Sequence, residues 1–155
     1  GQRYWWIFDE MPKYTIGVLG LWHLGEIFSA GLAELGHEVI GIDDNRKVIE
    51  NLAQNIPPLP EPRLEELIAR NRALGRLRFT ADASCVKDCN VLWLTFDTPV
   101  DDNDDVDLTV MYDALLKAIP RLQNGILLVV TSQVPVGTSQ KIKDFNASLN
   151  ACTRC

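Results

Sequence analysis

Two glycines and one aspartate carry the chemistry most visible in this sequence. In Tyr14-Thr-Ile-Gly-Val-Leu-Gly20-Leu-Trp-His-Leu-Gly25, a short apolar run (Ile16, Val18, Leu19) ends at Gly20, and a helical pattern opens directly behind it. Glycine at 20 permits a sharp turn, and glycine at 25 lets the new helix pack close to the strand it follows. The first N–H groups of such a helix have no partner of their own and face an anion, so the layout points to a bound diphosphate. Leu21, Trp22, His23 and Leu24 lie within that turn. The pattern G-x-G-x-x-G asks for glycine where this chain has Trp22, and a side chain there must point away or displace the ligand. Trp22 either projects outward and leaves the backbone amides free, or closes the site.

Asp43 ends the apolar run Glu38-Val-Ile-Gly-Ile42. A carboxylate at that place suits both hydroxyls of an adenosine ribose and repels a 2′-phosphate, which favours NAD over NADP. Phe96 to Val100 (with Asp97 and Thr98) and Ser132 to Val134 (with Gln133) stand at the ends of two later apolar runs, where ligands of open parallel sheets lie. His23 opens a helix, where the dipole disfavours its protonated form, so it reads as a structural or backbone contributor rather than an acid or base. The acidic run Asp101 to Asp107 lacks the turn glycine and terminal glutamate of a calcium loop and reads as solvated. Cys152 and Cys155 are half of a zinc spacing. With Cys85 and Cys89 four apart and only His23 and His37 in the chain, no metal site is expected.

The elements that must hold these residues alternate in type. Leu24, Ile27, Phe28, Gly31, Leu32 and Leu35 recur at helical spacing, which predicts a helix over His23–Leu35 with that apolar face inward and Gly36 as its cap. Glu38–Ile42 reads as a strand, and Asn45–Asn55 as a helix burying Val48, Ile49 and Leu52. The proline-rich Ile56–Pro62 must be extended. Pro62 suits the first position of a helix whose inner face is Leu64, Leu67, Ile68 and Leu74. Leu77–Thr80 is a strand, Ala83–Lys87 a short helical crossover, and Val91–Thr95 a nearly continuous apolar strand covered on both faces. Leu108, Met111, Leu115 and Ile119 mark a helix with Asp107 as N-cap. Ile126–Val130 is a fifth strand, and a last helix begins near Ser139. This alternation predicts a Rossmann-type fold: a doubly wound parallel sheet in a three-layer α/β/α single domain over residues 14–155. Residues 1–13 form an N-terminal extension whose Tyr4, Trp5, Trp6, Ile7 and Phe8 suit packing on the domain or on a partner subunit.

Composition bounds the class. A chain of 155 residues, 46% hydrophobic and 23% charged, has the make-up of one folded domain. A net charge of −6 argues against nucleic acid as a partner. The sequence has neither a long apolar run nor a signal-peptide layout, so a cytoplasmic protein without membrane contact is expected. Four cysteines are too few for a disulfide scaffold, and reduced thiols are expected.

From about Lys13 to Ile142 the sequence resembles the N-terminal domain of the UDP-glucose/GDP-mannose dehydrogenase family. The resemblance lies in the glycine turn, in Leu32-Ala-Glu-Leu-Gly-His-Glu-Val39 leading to Asp43, and in Glu61-Pro-Arg-Leu-Glu-Glu-Leu67. It continues in Gly75-Arg-Leu-Arg-Phe-Thr-Ala-Asp82, Asp97-Thr-Pro99 and Ser132-Gln-Val-Pro-Val-Gly-Thr138. It implies NAD as cofactor, with contacts at Gly20, Leu21, Trp22, His23, Leu24, Gly25, Asp43, Asp97, Thr98, Ser132 and Gln133. It also implies oxidation of the 6-hydroxyl of a nucleotide sugar such as UDP-glucose to a carboxylate, with two NAD per turnover. The family's catalytic cysteine and its lysine and asparagine helpers lie further along, and none of the four cysteines here matches that motif, so no catalytic residue is assigned. The chain is accordingly expected to be the NAD-binding fragment of a longer enzyme, inactive alone, meeting its nucleotide sugar with a C-terminal domain, and a homodimer is compatible at full length. Departures from the family are Trp22 and Arg63 in place of glycines, Val48 where lysine or arginine is common, and Gln133 in place of threonine. They keep a second reading open, a non-catalytic or regulatory module with an altered dinucleotide site.

Overall fold

The computed structural model describes residues 12–97, 107–132 and 134–152. The aromatic cluster of the N-terminal extension, Thr98 to Val100, the acidic residues 101–106, Gln133 and Cys155 lie outside them.

Five strands form one parallel sheet: β1 (Thr15–Leu19), β2 (Glu38–Ile42), β3 (Leu77–Thr80), β4 (Val91–Leu94) and β5 (Leu127–Val130). Their order is β3-β2-β1-β4-β5. The chain therefore winds outward one way from β1 and then the other, and a crevice opens above β1 and β4 where the direction reverses. Leu19 stands beside both Ile42 and Leu94, and Ile42 beside Thr80, so these strand ends are level and present their following residues at one edge.

Alternation along β1 sends Ile16 and Val18 to one face and Leu19 to the other. The first face packs on α1 (His23–Glu34), α2 (Arg46–Leu52) and α3 (Leu64–Ala73), through Ala30, Ala33, Leu52, Leu64 and Ile68. The second packs on a 3-10 segment at Ala83–Asp88, on α4 (Thr109–Ala118) and on α5 (Thr138–Cys152), through Val86, Met111, Leu115 and Ile142. These are the layers the sequence predicts, with boundaries shifted by a few residues.

Several local expectations are corrected. The buried face of α1 consists of Gly25, Glu26, Ser29, Ala30 and Ala33, whereas Leu24 and Leu35 are 38% and 51% exposed. A helix entering from a glycine turn lies so close to the sheet that small residues must face it, and the larger apolar ones move to its flanks. Leu74 is exposed because it caps α3, and Asn71 takes the buried place. Pro62 precedes α3 rather than opening it: Arg63 adopts a left-handed conformation, φ 66°, and the helix starts at Leu64. The second helix is shorter than expected, with the Asn45 side chain accepting from the Lys47 and Val48 amides as its N-cap. Asp107 does accept from the Thr109 amide at 2.9 Å, although Leu108 is the boundary residue. Gly36, at φ +98°, closes α1 as its sequence position predicts.

Candidate functional site

The turn after β1 is held from three sides. Gly20 has φ +98°, a conformation that side chains rarely adopt, and its N–H donates to Ile42 O at 2.9 Å. Its carbonyl accepts from the Thr95 hydroxyl at 2.6 Å. A Cβ on Gly25 would lie 1.8 Å from Gly20 O and 2.7 Å from Thr95 Oγ1, so only glycine lets α1 start this close to the strand. Thr95 is buried. It is a positioning residue that sequence reasoning missed. The one available signal was a hydroxyl at the end of an otherwise apolar run.

Asp43 reaches the same turn. Its Oδ2 accepts from the Leu21 amide at 2.9 Å and its Oδ1 from the Asn45 amide at 2.9 Å. Each oxygen keeps a second acceptor direction, so a ribose hydroxyl can still be bound. The sequence reading assigned only the ribose. The added fact is that Asp43 ties the turn to the end of β2, while the Leu21 side chain is fully buried in the core below. With the Gly20 and Leu21 amides already engaged, the N–H groups left for an anion are those of the first turn of α1, which have no acceptor within the helix.

Above the strand ends lies a cleft of about 370 Å³, lined by Gly20, Trp22, Asp43, Phe96, Asp97 and Lys117 among others. Trp22 is 49% exposed and lines this cleft rather than filling it, in keeping with the outward orientation of the two weighed for it. Phe96 lies against Gly20, at 3.1 Å from where a Cβ would stand. At the rim Lys117 pairs with Asp44 at 3.1 Å, both largely exposed. Leu24 is not among the cleft residues. Ser132, at the end of β5, has a buried hydroxyl with no hydrogen-bond partner among the described residues. Thr98 and Gln133, the other two expected contacts on this side, fall outside them. The donors at the head of α1, the Asp43 acceptors and the apolar cleft together fit a dinucleotide, and the orphaned Ser132 hydroxyl has capacity for a further polar contact.

Behind the turn lies a group of titratable side chains of which the sequence marks His23 as a helix opener and Glu61 only as part of a family motif. The His23 Nε2 meets Glu61 Oε1 at 2.7 Å, which joins the first residue of α1 to the proline-rich segment before α3. Glu26, one helical turn on, is completely buried. Neither of its carboxyl oxygens has a hydrogen-bond partner among the described residues. Burial pushes its pKa up to about 7, against smaller lowering effects from the Leu59 backbone and His23, and Glu61 adds a small further rise. Cys85 and Cys89 are buried thiols whose pKa values burial raises, which makes them poor nucleophiles.

Among the described residues no helix is long and apolar enough to cross a membrane. Residues 14–152 match the NAD binding domain of the UDP-glucose/GDP-mannose dehydrogenase family. The chain is 31% identical over 129 residues to the UDP-glucose 6-dehydrogenase YwqF of Bacillus subtilis, which covers 83% of this chain and 29% of that protein. In structure it is similar to the UDP-D-ManNAc dehydrogenase of Pyrococcus horikoshii, with a TM-score of 0.83 and 27% identity over 88% of this chain and 32% of that one. It is also similar to a ternary complex of GDP-mannose dehydrogenase from Pseudomonas aeruginosa, with a TM-score of 0.75 and 31% identity over 82% and 30% of the two chains. The chain thus spans about a third or less of the length of these relatives.

Proposed function

The chain belongs to the UDP-glucose/GDP-mannose dehydrogenase family, and from that premise we propose that it holds NAD for oxidation of a nucleotide sugar at the sugar 6-hydroxyl. NAD is the cofactor of the matched domain, and when bound its nicotinamide supplies hydride acceptance. The chain's own residues do the holding. The first-turn amides of α1 take the diphosphate, Asp43 takes the adenosine ribose, and the cleft between Trp22, Phe96 and Lys117 receives the adenosine. Asp97 and the Ser132 hydroxyl are assigned to the nicotinamide half; the expected contacts at Thr98 and Gln133 lie outside the described residues. Gly20, Gly25 and Thr95 fix the turn so that no donor reorganises on binding. The observation that carries this reading is the Gly20 turn, bonded to both Asp43 and Thr95 at the mouth of an open cleft.

The reaction takes two NAD per substrate and needs a reactive thiol, a part that the buried Cys85 and Cys89, with their raised pKa values, do not suit. The 155-residue chain therefore binds NAD and turns nothing over. Incubating it with NAD⁺ and UDP-glucose while following absorbance of NADH tests this. No NADH is expected, and formation at an enzyme-like rate would overturn the division of labour. The side chain at position 22, where the family has glycine, favours a second reading, a non-catalytic or regulatory module with an altered dinucleotide site. That reading expects no NAD⁺ binding by the wild type.

A further inference from the structure

Glu26 is a carboxyl in an unusual place. It is the fourth residue of α1, fully buried, and its two oxygens find no well-formed hydrogen bond among the described residues, only the weak pull of the Leu59 backbone N–H. A buried polar group in that condition is costly and calls for a role. Its backbone N–H donates to Trp22 O at 3.2 Å, so it belongs to the same helical turn whose amides face the diphosphate. Three residues earlier on the same side of the helix, His23 is held by Glu61 at 2.7 Å.

We propose that Glu26, buried beside the His23–Glu61 pair, is a proton-holding carboxyl that tunes the diphosphate site, so that NAD binds with proton uptake at Glu26 and binds more weakly once that proton is lost. The inference rests on the reading of the cleft as an NAD site. An ionised carboxylate in the first turn is attracted to the positive end of the helix dipole, and there it competes with and repels the diphosphate. The neutral acid does neither. Screening is weak because the group is out of water. The titratable groups facing it are His23, on its own helix, and Glu61, on the proline-rich segment, where the Leu59 backbone N–H also bears on it. On α3, packed against α1, Arg63 pairs with Glu66 and Arg70 with Glu34, while Asp43 at the end of β2 is occupied by the Leu21 and Asn45 amides. Burial brings the Glu26 ionisation to about pH 7, where the device would operate. A unit charge roughly 10 Å from the ligand, at an effective dielectric of about 25 to 50, changes affinity roughly three- to tenfold. By linkage NAD raises the proton affinity of Glu26 by the same factor.

The test is calorimetric titration of the protein with NAD⁺ at pH 6, 7 and 8, in two buffers of different ionisation heat. Wild type is expected to lose roughly two- to fivefold in affinity from pH 6 to 8, part of the full three- to tenfold effect, and to take up protons on binding near pH 7. Glu26→Gln should keep the low-pH affinity throughout with no uptake, and His23→Gln should keep the uptake. Flat wild-type affinity without uptake, uptake surviving in Glu26→Gln, or uptake abolished in His23→Gln would each overturn the proposal. Should Glu26→Gln not fold, the carboxyl carbon shift of Glu26 in the wild type decides the matter. Its titration midpoint must rise when NAD⁺ is added, and an unmoved midpoint overturns the proposal. Absence of NAD⁺ binding at every pH refutes the NAD reading itself and is thereby distinguished from failure of the proton linkage.

Discussion

Replacing Glu26 by glutamine should make the protein more stable relative to wild type as pH rises. The carboxyl titrates at about 7 in the folded protein, against an ordinary value of 4.5. The folded state therefore binds this proton more tightly than the unfolded chain does. The group's contribution is most favourable below about pH 4.5 and is lost progressively as pH rises to about 7, because folding then requires holding a proton the unfolded chain has released, or burying a charge. The full loss amounts to about 3 kcal/mol, at about 1.4 kcal/mol for each tenfold change in proton affinity. Glutamine has nearly the same shape and does not ionise, so its burial cost is independent of pH in this range. Urea unfolding followed by circular dichroism at pH 5, 6, 7 and 8 measures the difference. The stability of Glu26→Gln relative to wild type should increase by roughly 2–3 kcal/mol across that range. Two stability curves that stay parallel from pH 5 to 8 would refute the reasoning, because they would mean that Glu26 titrates as it does in the unfolded chain.

Thr95→Val keeps the shape and removes the 2.6 Å bond to Gly20 O. Leaving that carbonyl unpaired should cost about 1–3 kcal/mol in urea unfolding and weaken NAD⁺ binding through a looser turn. Gly25→Ala sets a methyl 1.8 Å from Gly20 O, and α1 must shift to admit it. Loss of about 3 kcal/mol in thermal unfolding and of measurable NAD⁺ binding is expected. Asp43→Ala removes acceptors from the Leu21 and Asn45 amides and, on the proposed assignment, from the ribose. NAD⁺ affinity should fall at least about tenfold and preference over NADP⁺ should shrink, as read by calorimetry. Arg63 pays for a left-handed conformation that glycine adopts freely, so Arg63→Gly should stabilise the protein by up to about 1 kcal/mol in the same unfolding assay.

Most of the frame was legible because it is written in spacing. The apolar runs of β1, β2 and β4, the proline break before α3 and the glycine closing α1 each announce an element locally, and parallel order follows from their alternation. The error on α1 has a physical source. Reading its face from Leu24 and Leu35 assumes that large apolar residues mark the core, whereas a helix starting at Gly25 presents Ser29, Ala30 and Ala33 to the sheet because nothing larger fits. The site was legible where a backbone conformation or a strand end demands a residue type, as at Gly20, Gly25 and Asp43. It was illegible where meaning arises from contact across the chain. The bond of Thr95 to Gly20, the grip of Asp43 on Leu21 and the meeting of His23 with Glu61 join residues far apart in sequence, and one sequence carries no trace of such pairs. Glu26 escaped notice because an acidic residue in the first turn of a helix is ordinary, and only its complete burial makes it unusual.

An NAD site formed by the turn at Gly20 and the carboxylate of Asp43, despite Trp22, is the central proposal. Parallel calorimetric titrations of the 155-residue protein with NAD⁺ and NADP⁺ at pH 6.5 test that directly. NAD⁺ should bind at one site, and NADP⁺ at least about tenfold more weakly because its 2′-phosphate meets Asp43. Failure to bind NAD⁺, or equal affinity for the two dinucleotides, would contradict it.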